Sequence, residues 1–459
     1  MIAVQTDKEI LKKDDDKNSY NRKYIYAIAA IASMGGLLFG FDLVIISGTI
    51  PFFSQYFHLQ DIGVGWAVGC INLGSAAGAV AAGKLSDRWG RKKLLLVCAL
   101  LFAITGVGTG WAFTFPVFIL FRLGSGVAVG VAALVCPMYI AELAPSAWRG
   151  RLVSFYQLAI VVGLLLAYLA DYLLLHAGLN NWRWMFSAQS VPALLFLLGM
   201  FFTDESPRWL IRKNKMKQGM HVLARIGYAD CAQSAKLISE SFASEVKEHW
   251  QAIFQKKYRQ IIWIGLAVAF FSQADGQNSL FSYAPEIFAQ AGLSQDSAFL
   301  QSVFLGLINF LFTFIAIANV DKTGRRNLLL VGSILLCMDA IALSVCFGFH
   351  FSSFLILVCV VVFIAVYAAT LGPVTWVALS ELFPNKIRGS ALSLATLVLW
   401  IANFFTTASF PLMKRHLGLS ATFAVHAGIC LIYFVFIWRK VPETKGRSLE
   451  DIENVLVKQ

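Results

Sequence analysis

Four ionisable side chains stand out inside stretches that are otherwise apolar: Asp42, Arg122, Asp275 and Asp339. A charge at the centre of a hydrocarbon layer costs about 3 kcal/mol or more unless paired, so each is a candidate for proton or ion chemistry. Asp42 follows Gly35-Gly36-Leu37-Leu38-Phe39-Gly40-Phe41, where glycines let a neighbouring backbone approach closely. Arg122 precedes Gly124, Gly126 and Gly130. Asp339 sits among Met338, Ala340 and Ile341, where a hydrogen-bonded buried acid and a transport role fit equally. A second set is uncharged: the amides Gln157, Gln273, Asn278 and Asn309, with the aromatics Phe39, Tyr283, Trp376 and Trp400. An amide both donates and accepts, and an aromatic face covers apolar surface, so together these residues suit a cavity for a neutral polar solute. Singly, each reads as glue between helices. No nucleophile–base set, phosphate loop or metal-ligand spacing accompanies them, so neither an enzyme nor a cofactor is expected.

The elements that must hold these residues are membrane spans. Of 459 residues, 58% are hydrophobic and 14% charged, against roughly half and a quarter in soluble domains. The apolar residues form long runs such as Ile25–Leu38, Val191–Phe202 and Phe354–Tyr367, and roughly 20 such residues cross a bilayer as a helix. The punctuation between runs predicts twelve spans, near 25–47, 62–82, 94–114, 116–139, 152–175, 183–203, 261–284, 298–320, 327–348, 352–379, 388–413 and 418–438. The formal net charge of +12 could suggest nucleic acid, but its distribution argues otherwise. All 38 Lys and Arg except Arg122, Arg183, Lys414 and Arg415 lie in the termini or in the loops after even-numbered spans. Basic loops stay in the cytoplasm, so both termini are expected there. The eight cysteines are scattered without disulfide or metal spacing and read as small buried hydrophobes. The N-terminus has Asp14, Asp15 and Asp16 beside Lys12 and Lys13, unlike a cleaved signal peptide. No Asn-x-Ser/Thr acceptor occurs, which favours a prokaryotic source.

Three motifs occur twice in the same order. Gly83-Lys-Leu-Ser-Asp87-Arg88-Trp-Gly90-Arg91-Lys92 is echoed by Val320-Asp321-Lys322-Thr-Gly324-Arg325-Arg326. Glu142-Leu-Ala-Pro145-Ser-Ala-Trp-Arg149-Gly150 is echoed by Glu381-Leu-Phe-Pro384-Asn-Lys-Ile-Arg388-Gly389. Asp204-Glu205-Ser-Pro-Arg208 returns more loosely as Pro442-Glu443-Thr-Lys445-Gly-Arg447. The offsets are 234, 239 and 238 residues, so the chain is a duplicated unit. Each motif follows an even-numbered span, which makes the repeat parallel and implies two bundles able to rock about a central site. Residues 204–260 between them are polar, with amphipathic stretches at Trp209, Leu210, Leu223 and Ile226 that read as short helices or as a solvated linker.

The pattern of Asp87, Arg88, Gly90 and Arg91 resembles the signature loop of the major facilitator superfamily. With Pro137-Met-Tyr-Ile-Ala-Glu142, Asp204-Glu-Ser-Pro-Arg208 and Pro442-Glu-Thr-Lys-Gly446, it is similar to the sugar porter family, from about Met34 to Glu450. The resemblance implies that Asp42 pairs with Arg122 and that protonating Asp42 frees the arginine, driving proton symport. Facilitators of the family commonly carry Asn at the Asp42 position. It also implies that Phe39, Gln157, Gln273, Asn278, Tyr283, Asn309, Trp376 and Trp400 contact a sugar. Asp87, Arg88, Arg91, Glu142, Arg149, Asp321, Arg325, Glu381 and Arg388 would close the cytoplasmic face, with Glu142–Arg388 and Glu381–Arg149 as partners across the halves.

This chain departs from that pattern in three places. Gln189 follows Trp182-Arg183-Trp-Met-Phe186 where some symporters have Glu, and Leu399 stands where some have Gln. Ser272-Gln273-Ala274-Asp275-Gly276-Gln277-Asn278 replaces the usual Gln-Gln-x-x-Gly-x-Asn. Asp275 and Gln277 form a possible additional site; Asp275 is open to three roles, as a sugar contact, a relocated proton site or a cap at a helix break.

The expectation is therefore an all-α membrane protein of twelve helices in two six-helix halves. Its parts are a tail at 1–24, halves at 25–203 and 261–438, a linker at 204–260 and a tail at 439–459. The function expected is proton-coupled monosaccharide symport in a bacterial cell membrane, by a monomer, with sugar, proton and lipid as partners. Uniport of the same solute and cyclitol transport are the alternatives; a sugar sensor lacks room for a signalling tail.

Overall fold

The computed structural model describes residues 19–243, 253–384 and 387–443, all helical or connecting, with no strand among them. Ten helices are long and apolar enough to cross a membrane. One of these, Arg388–Lys440, is two spans that meet at Gly418, whose φ of +78° turns the chain. The seventh span is two shorter helices, Arg259–Ala274 and Gln277–Gln290, separated at Asp275-Gly276. Twelve spans result. The helices outrun the apolar runs that announced them: the first, Arg22–Val44, continues past Ile45 as Ile46–Tyr56. The loop expected at 414–417 is instead helical, because the glycine alone makes the reversal there.

Large apolar side chains cover the outside, among them Leu120, Val191, Leu198, Phe202, Met338 and Phe405. In water such a surface would aggregate; in hydrocarbon it is the expected exterior. Inside each half, small residues let helices touch. A Cβ on Gly163 of the fifth span would lie 2.9 Å from the Leu37 Cα of the first, so these spans cross backbone to backbone. The two halves meet mainly where the second span lies along the eleventh and the fifth along the eighth. Between the halves run three short helices, Pro207–Arg212, Met216–Ile226 and Cys231–Ala243, closing a small core of Ile211, Leu223 and Ala235.

Candidate functional site

Asp42 is a fully buried carboxylate of the N-terminal half. Its Oδ1 accepts from Arg122 Nη1 at 2.6 Å, and both side chains are 1% exposed. Its Oδ2 accepts from Ser125 Oγ and from Gln189 Nε2, the latter at 3.2 Å. The Arg122 guanidinium also packs over the Phe186 ring, while its Nε and Nη2 find no acceptor. Helical spacing explains the assembly: Arg122 and Ser125 are one turn apart and face the first span together. Gln189 donates a hydrogen bond where a glutamate would set a second carboxylate against the first. A charge-assisted network of this kind is strong while Asp42 is ionised and loses its main attraction when Asp42 takes a proton.

The first of the candidate solute residues, Phe39, stands one turn before Asp42. Phe39 contacts Trp400 of the eleventh span, ring centroids 5.6 Å apart, which joins the two halves. Trp400 is buried with its Nε1 unpartnered, whereas Trp376 is 40% exposed. Asn278 Nδ2 donates to Gln273 Oε1 at 2.6 Å across the break in the seventh span. Gln157 is half-buried and Asn309 buried, on the facing fifth and eighth spans. Tyr283 lies elsewhere than expected: it is fully buried, stacked on Phe410, and its hydroxyl donates to the Thr407 carbonyl at 3.0 Å.

Proline explains that displacement. Pro411 has no N–H to bond the carbonyl four residues back, which is Thr407, so Tyr283 takes it. Pro285 likewise frees the Phe281 carbonyl, and the Tyr168 hydroxyl donates to it at 2.8 Å. Tyr168 belongs to the fifth span and Phe281 to the seventh, so this bond ties the halves. In the low-dielectric interior a freed backbone carbonyl must find a donor, and two tyrosines supply it.

The break itself needs Gly276, whose φ is +97°. Asp275 Oδ1 accepts from the Gln277 N–H at 3.0 Å, capping the second helix. Of the three roles left open for Asp275, capping is therefore observed, although its Oδ2 and the Gln277 Oε1 remain buried without partners. Asp339 stands apart from all these residues, with one unpartnered carboxylate oxygen.

At the end that carries the basic loops, the repeated motifs build matching networks. Arg91 pairs with Glu142 at 2.9 Å and Asp87 at 3.3 Å; Arg325 pairs with Glu381 at 3.0 Å. Glu205 accepts the backbone N–H groups of Arg91 and Lys92 at 2.9 and 3.1 Å, capping the third span from outside. Glu443 does the same for Arg325 at the start of the ninth, at 3.1 Å. These carboxylates satisfy donors that a helix start leaves unbonded, and they suit its positive end. Burial pushes the Glu205 carboxyl above its ordinary range, partly offset by the Ser206, Lys92 and Arg91 N–H groups.

The expected pairs across the halves, Glu142–Arg388 and Glu381–Arg149, do not form. Glu142 and Glu381 instead bind arginines of their own halves; Arg388 Nε donates to the Phe383 carbonyl, and Arg149 lies near Arg208. The ties between halves in this conformation sit at the opposite end, so the basic end has no need to join. Arg88 is exposed and joins no ion pair among the described residues. The side chain of Asp321 lies outside the described residues, as do Lys445, Gly446 and Arg447.

At that opposite end, Arg415 pairs with Asp61 of the other half at 2.9 Å, and Lys414 with Glu286. They border a cleft of about 450 Å³ that is separate from the candidate solute residues. Asn72 adds a bond to Thr407 at 3.3 Å.

Two functional candidates escaped sequence reasoning. Ser125 was detectable as the hydroxyl one turn beyond Arg122. Asp171, fully buried in the fifth span, accepts from the Gly48 N–H at 3.0 Å; its place near the end of an apolar run made it look like a boundary residue.

Residues 28–456 match the family described as sugar (and other) transporter. The chain is 36% identical over 473 residues to the D-xylose–proton symporter of Escherichia coli (strain K12), covering 95% of this chain and 96% of that one. It is 33% identical over 448 residues to the arabinose–proton symporter of Bacillus subtilis (strain 168), covering 96% and 97%. It superimposes on the xylose transporter of E. coli in its inward-open conformation with a TM-score of 0.86 and 34% identity, covering 94% of this chain and all of that one.

Proposed function

The chain belongs to the sugar transporter family, carriers rather than enzymes, and from that premise we propose that it is a proton-coupled symporter of a hexose or pentose. The observation that carries this reading is the buried Asp42–Arg122 pair with its two extra donors. It sets a protonatable carboxylate beside a buried cation at membrane depth. Neutralising Asp42 releases Arg122, and a membrane potential of 100 mV drives each entering proton with about 2.3 kcal/mol.

Alternating access follows from the two ends. Asp61–Arg415, Asn72–Thr407 and Tyr168–Phe281 close the far end, which is extracellular if the basic loops and both termini are cytoplasmic. Arg91–Glu142 and Arg325–Glu381 hold each half's cytoplasmic end as a unit, with Asp87 beside the first and Arg149 and Arg388 nearby in the chain. The halves at 25–203 and 261–438 then rock about a site of Phe39, Gln157, Gln273, Asn278, Asn309, Trp376 and Trp400. Gln277 is a further amide beside it, and Tyr283 supports it from behind. The protein works as a monomer in a bacterial inner membrane.

The test is uptake into liposomes by purified protein, with labelled hexoses, pentoses and inositol, with and without an inward proton gradient. Gradient-dependent accumulation of one sugar is the expected result. Equilibration without accumulation would make the protein a uniporter and reduce Asp42 to a structural partner. Uptake of inositol alone would move the substrate to the cyclitols.

A further inference from the structure

Span 7 is interrupted only two residues from Gln273, and the interruption carries an acid that Asp42 chemistry does not use. Asp275 is fully buried. One carboxylate oxygen caps the outer helix through the Gln277 N–H; the other is buried and unpartnered. No lysine or arginine forms an ion pair with it among the described residues. The groups that face it are hydroxyls and thiols: Tyr367 of the tenth span and Tyr433 and Cys430 of the twelfth. The Tyr433 hydroxyl also lacks a partner. On the backbone side of the break, His426 Nδ1 lies 3.2 Å from the Ala274 carbonyl, and its Nε2 is unpartnered. A buried carboxylate without a cation is costly, and a proton removes that cost.

We propose that Asp275 is a second proton-binding site, placed at the break in span 7, whose occupancy governs the cap on the outer helix Gln277–Gln290. This rests on the proton-coupled sugar reading. The outer helix bears Asn278 of the sugar site, the Phe281 carbonyl that Tyr168 binds and Glu286 that pairs with Lys414. An ionised Asp275 holds the start of that helix strongly, because a carboxylate suits a helix N-terminus. A protonated one holds it weakly and frees the segment that closes the outside. Two acids, one in each half, would thus report protonation to the two bundles that rock.

The experiment measures protons exchanged when sugar binds to purified protein in weakly buffered detergent solution. The probe is a saturating mixture of D-xylose, L-arabinose, D-galactose and D-glucose. Asp275→Asn separates capping from titration, since Asn still accepts from the Gln277 N–H but binds no proton. The expected result is that Asp42→Asn retains roughly half of the wild-type proton exchange and that Asp42→Asn with Asp275→Asn has none. Complete loss in Asp42→Asn alone, with Asp275→Asn indistinguishable from wild type, would overturn the proposal and leave Asp275 a cap. Should Asp275→Asn not fold, Tyr433→Phe decides: it removes a hydroxyl near the acid, while the neighbouring Thr375 hydroxyl keeps the Leu371 carbonyl as its acceptor. A displaced pH midpoint of sugar affinity supports the site, and an unmoved midpoint refutes it. Sugar binding by the wild type with no proton exchange at all would instead remove the symport reading itself.

Discussion

Replacing Asp42 by Asn removes one charge and little else, so it isolates coupling from structure. Asn retains a carbonyl that can accept from Arg122 Nη1, and its amide can donate to Ser125 Oγ, whereas Gln189, a donor through Nε2, must turn its own amide over to accept. Breaking a buried ion pair costs about 3–5 kcal/mol because the other charge is left uncompensated; the neutral amide leaves Arg122 so, and its retained carbonyl contact offsets part of that loss. The transport effect is larger in kind. One proton per sugar at 100 mV contributes about 2.3 kcal/mol, and about 1.4 kcal/mol is tenfold, so the wild type should accumulate sugar about 50-fold. The variant should lose that factor of about 50, and any accumulation left should be the share carried by the Asp275 proton, absent from Asp42→Asn with Asp275→Asn. The assay is accumulation in proteoliposomes under a valinomycin potassium potential, with exchange of preloaded sugar as a control for a competent site. Accumulation in Asp42→Asn undiminished from the wild type would refute the assignment of Asp42 as a coupling group, and loss of exchange as well would mean that the pair is structural.

The remaining predictions concern the supports of the site. Glu205 has a carboxyl raised by burial, so its protonated form is favoured by folding; its contribution is fully present below the unfolded value near 4.3 and is lost as pH rises through the folded value. Glu205→Gln should therefore flatten the pH dependence of melting temperature in this window, and an unchanged profile would show that Glu205 does not set it. Gly276→Ala should cost about 1–3 kcal/mol for a positive φ, because its Cβ would also fall 2.8 Å from the His426 ring; melting temperature and uptake should both drop, and wild-type uptake would show that the break can relax. Asp61→Ala opens a tie whose Arg415 side is 62% exposed, so it is worth about 1 kcal/mol or less. It should shift the outward-facing population by less than about tenfold, read by thiol labelling of a cysteine placed in the outer cleft; a larger shift would mean the pair is desolvated in the membrane. Trp376→Ala should weaken sugar affinity, measured by equilibrium binding, and unaltered affinity would move the site away from the tenth span.

Much of this protein was legible in one dimension. Twelve spans follow from runs of about 20 apolar residues, because a hydrocarbon solvent forces every backbone group into helical bonds. The duplicated motifs announced two like halves, and the ionisable Asp42 and Arg122 stood out because charges are scarce where they are costly. The fine boundaries were not legible: Gly418 alone separates two spans that otherwise form one helix, and the first helix runs far beyond its apolar run. What only the tertiary structure decided are the partners. Helical spacing could put Ser125 beside Arg122, yet that Gln189 donates to the same carboxylate depends on how three spans converge. Glu142 and Glu381 carry charges that could pair in either half; the conformation, tied at the Asp61–Arg415 end, decides that they pair within their own. Tyr283 looked like a cavity wall by type, but Pro411 frees a carbonyl that claims its hydroxyl. Periodicity and solvent act along the chain and are written there, whereas hydrogen-bond partners depend on positions in space that many distant residues set together.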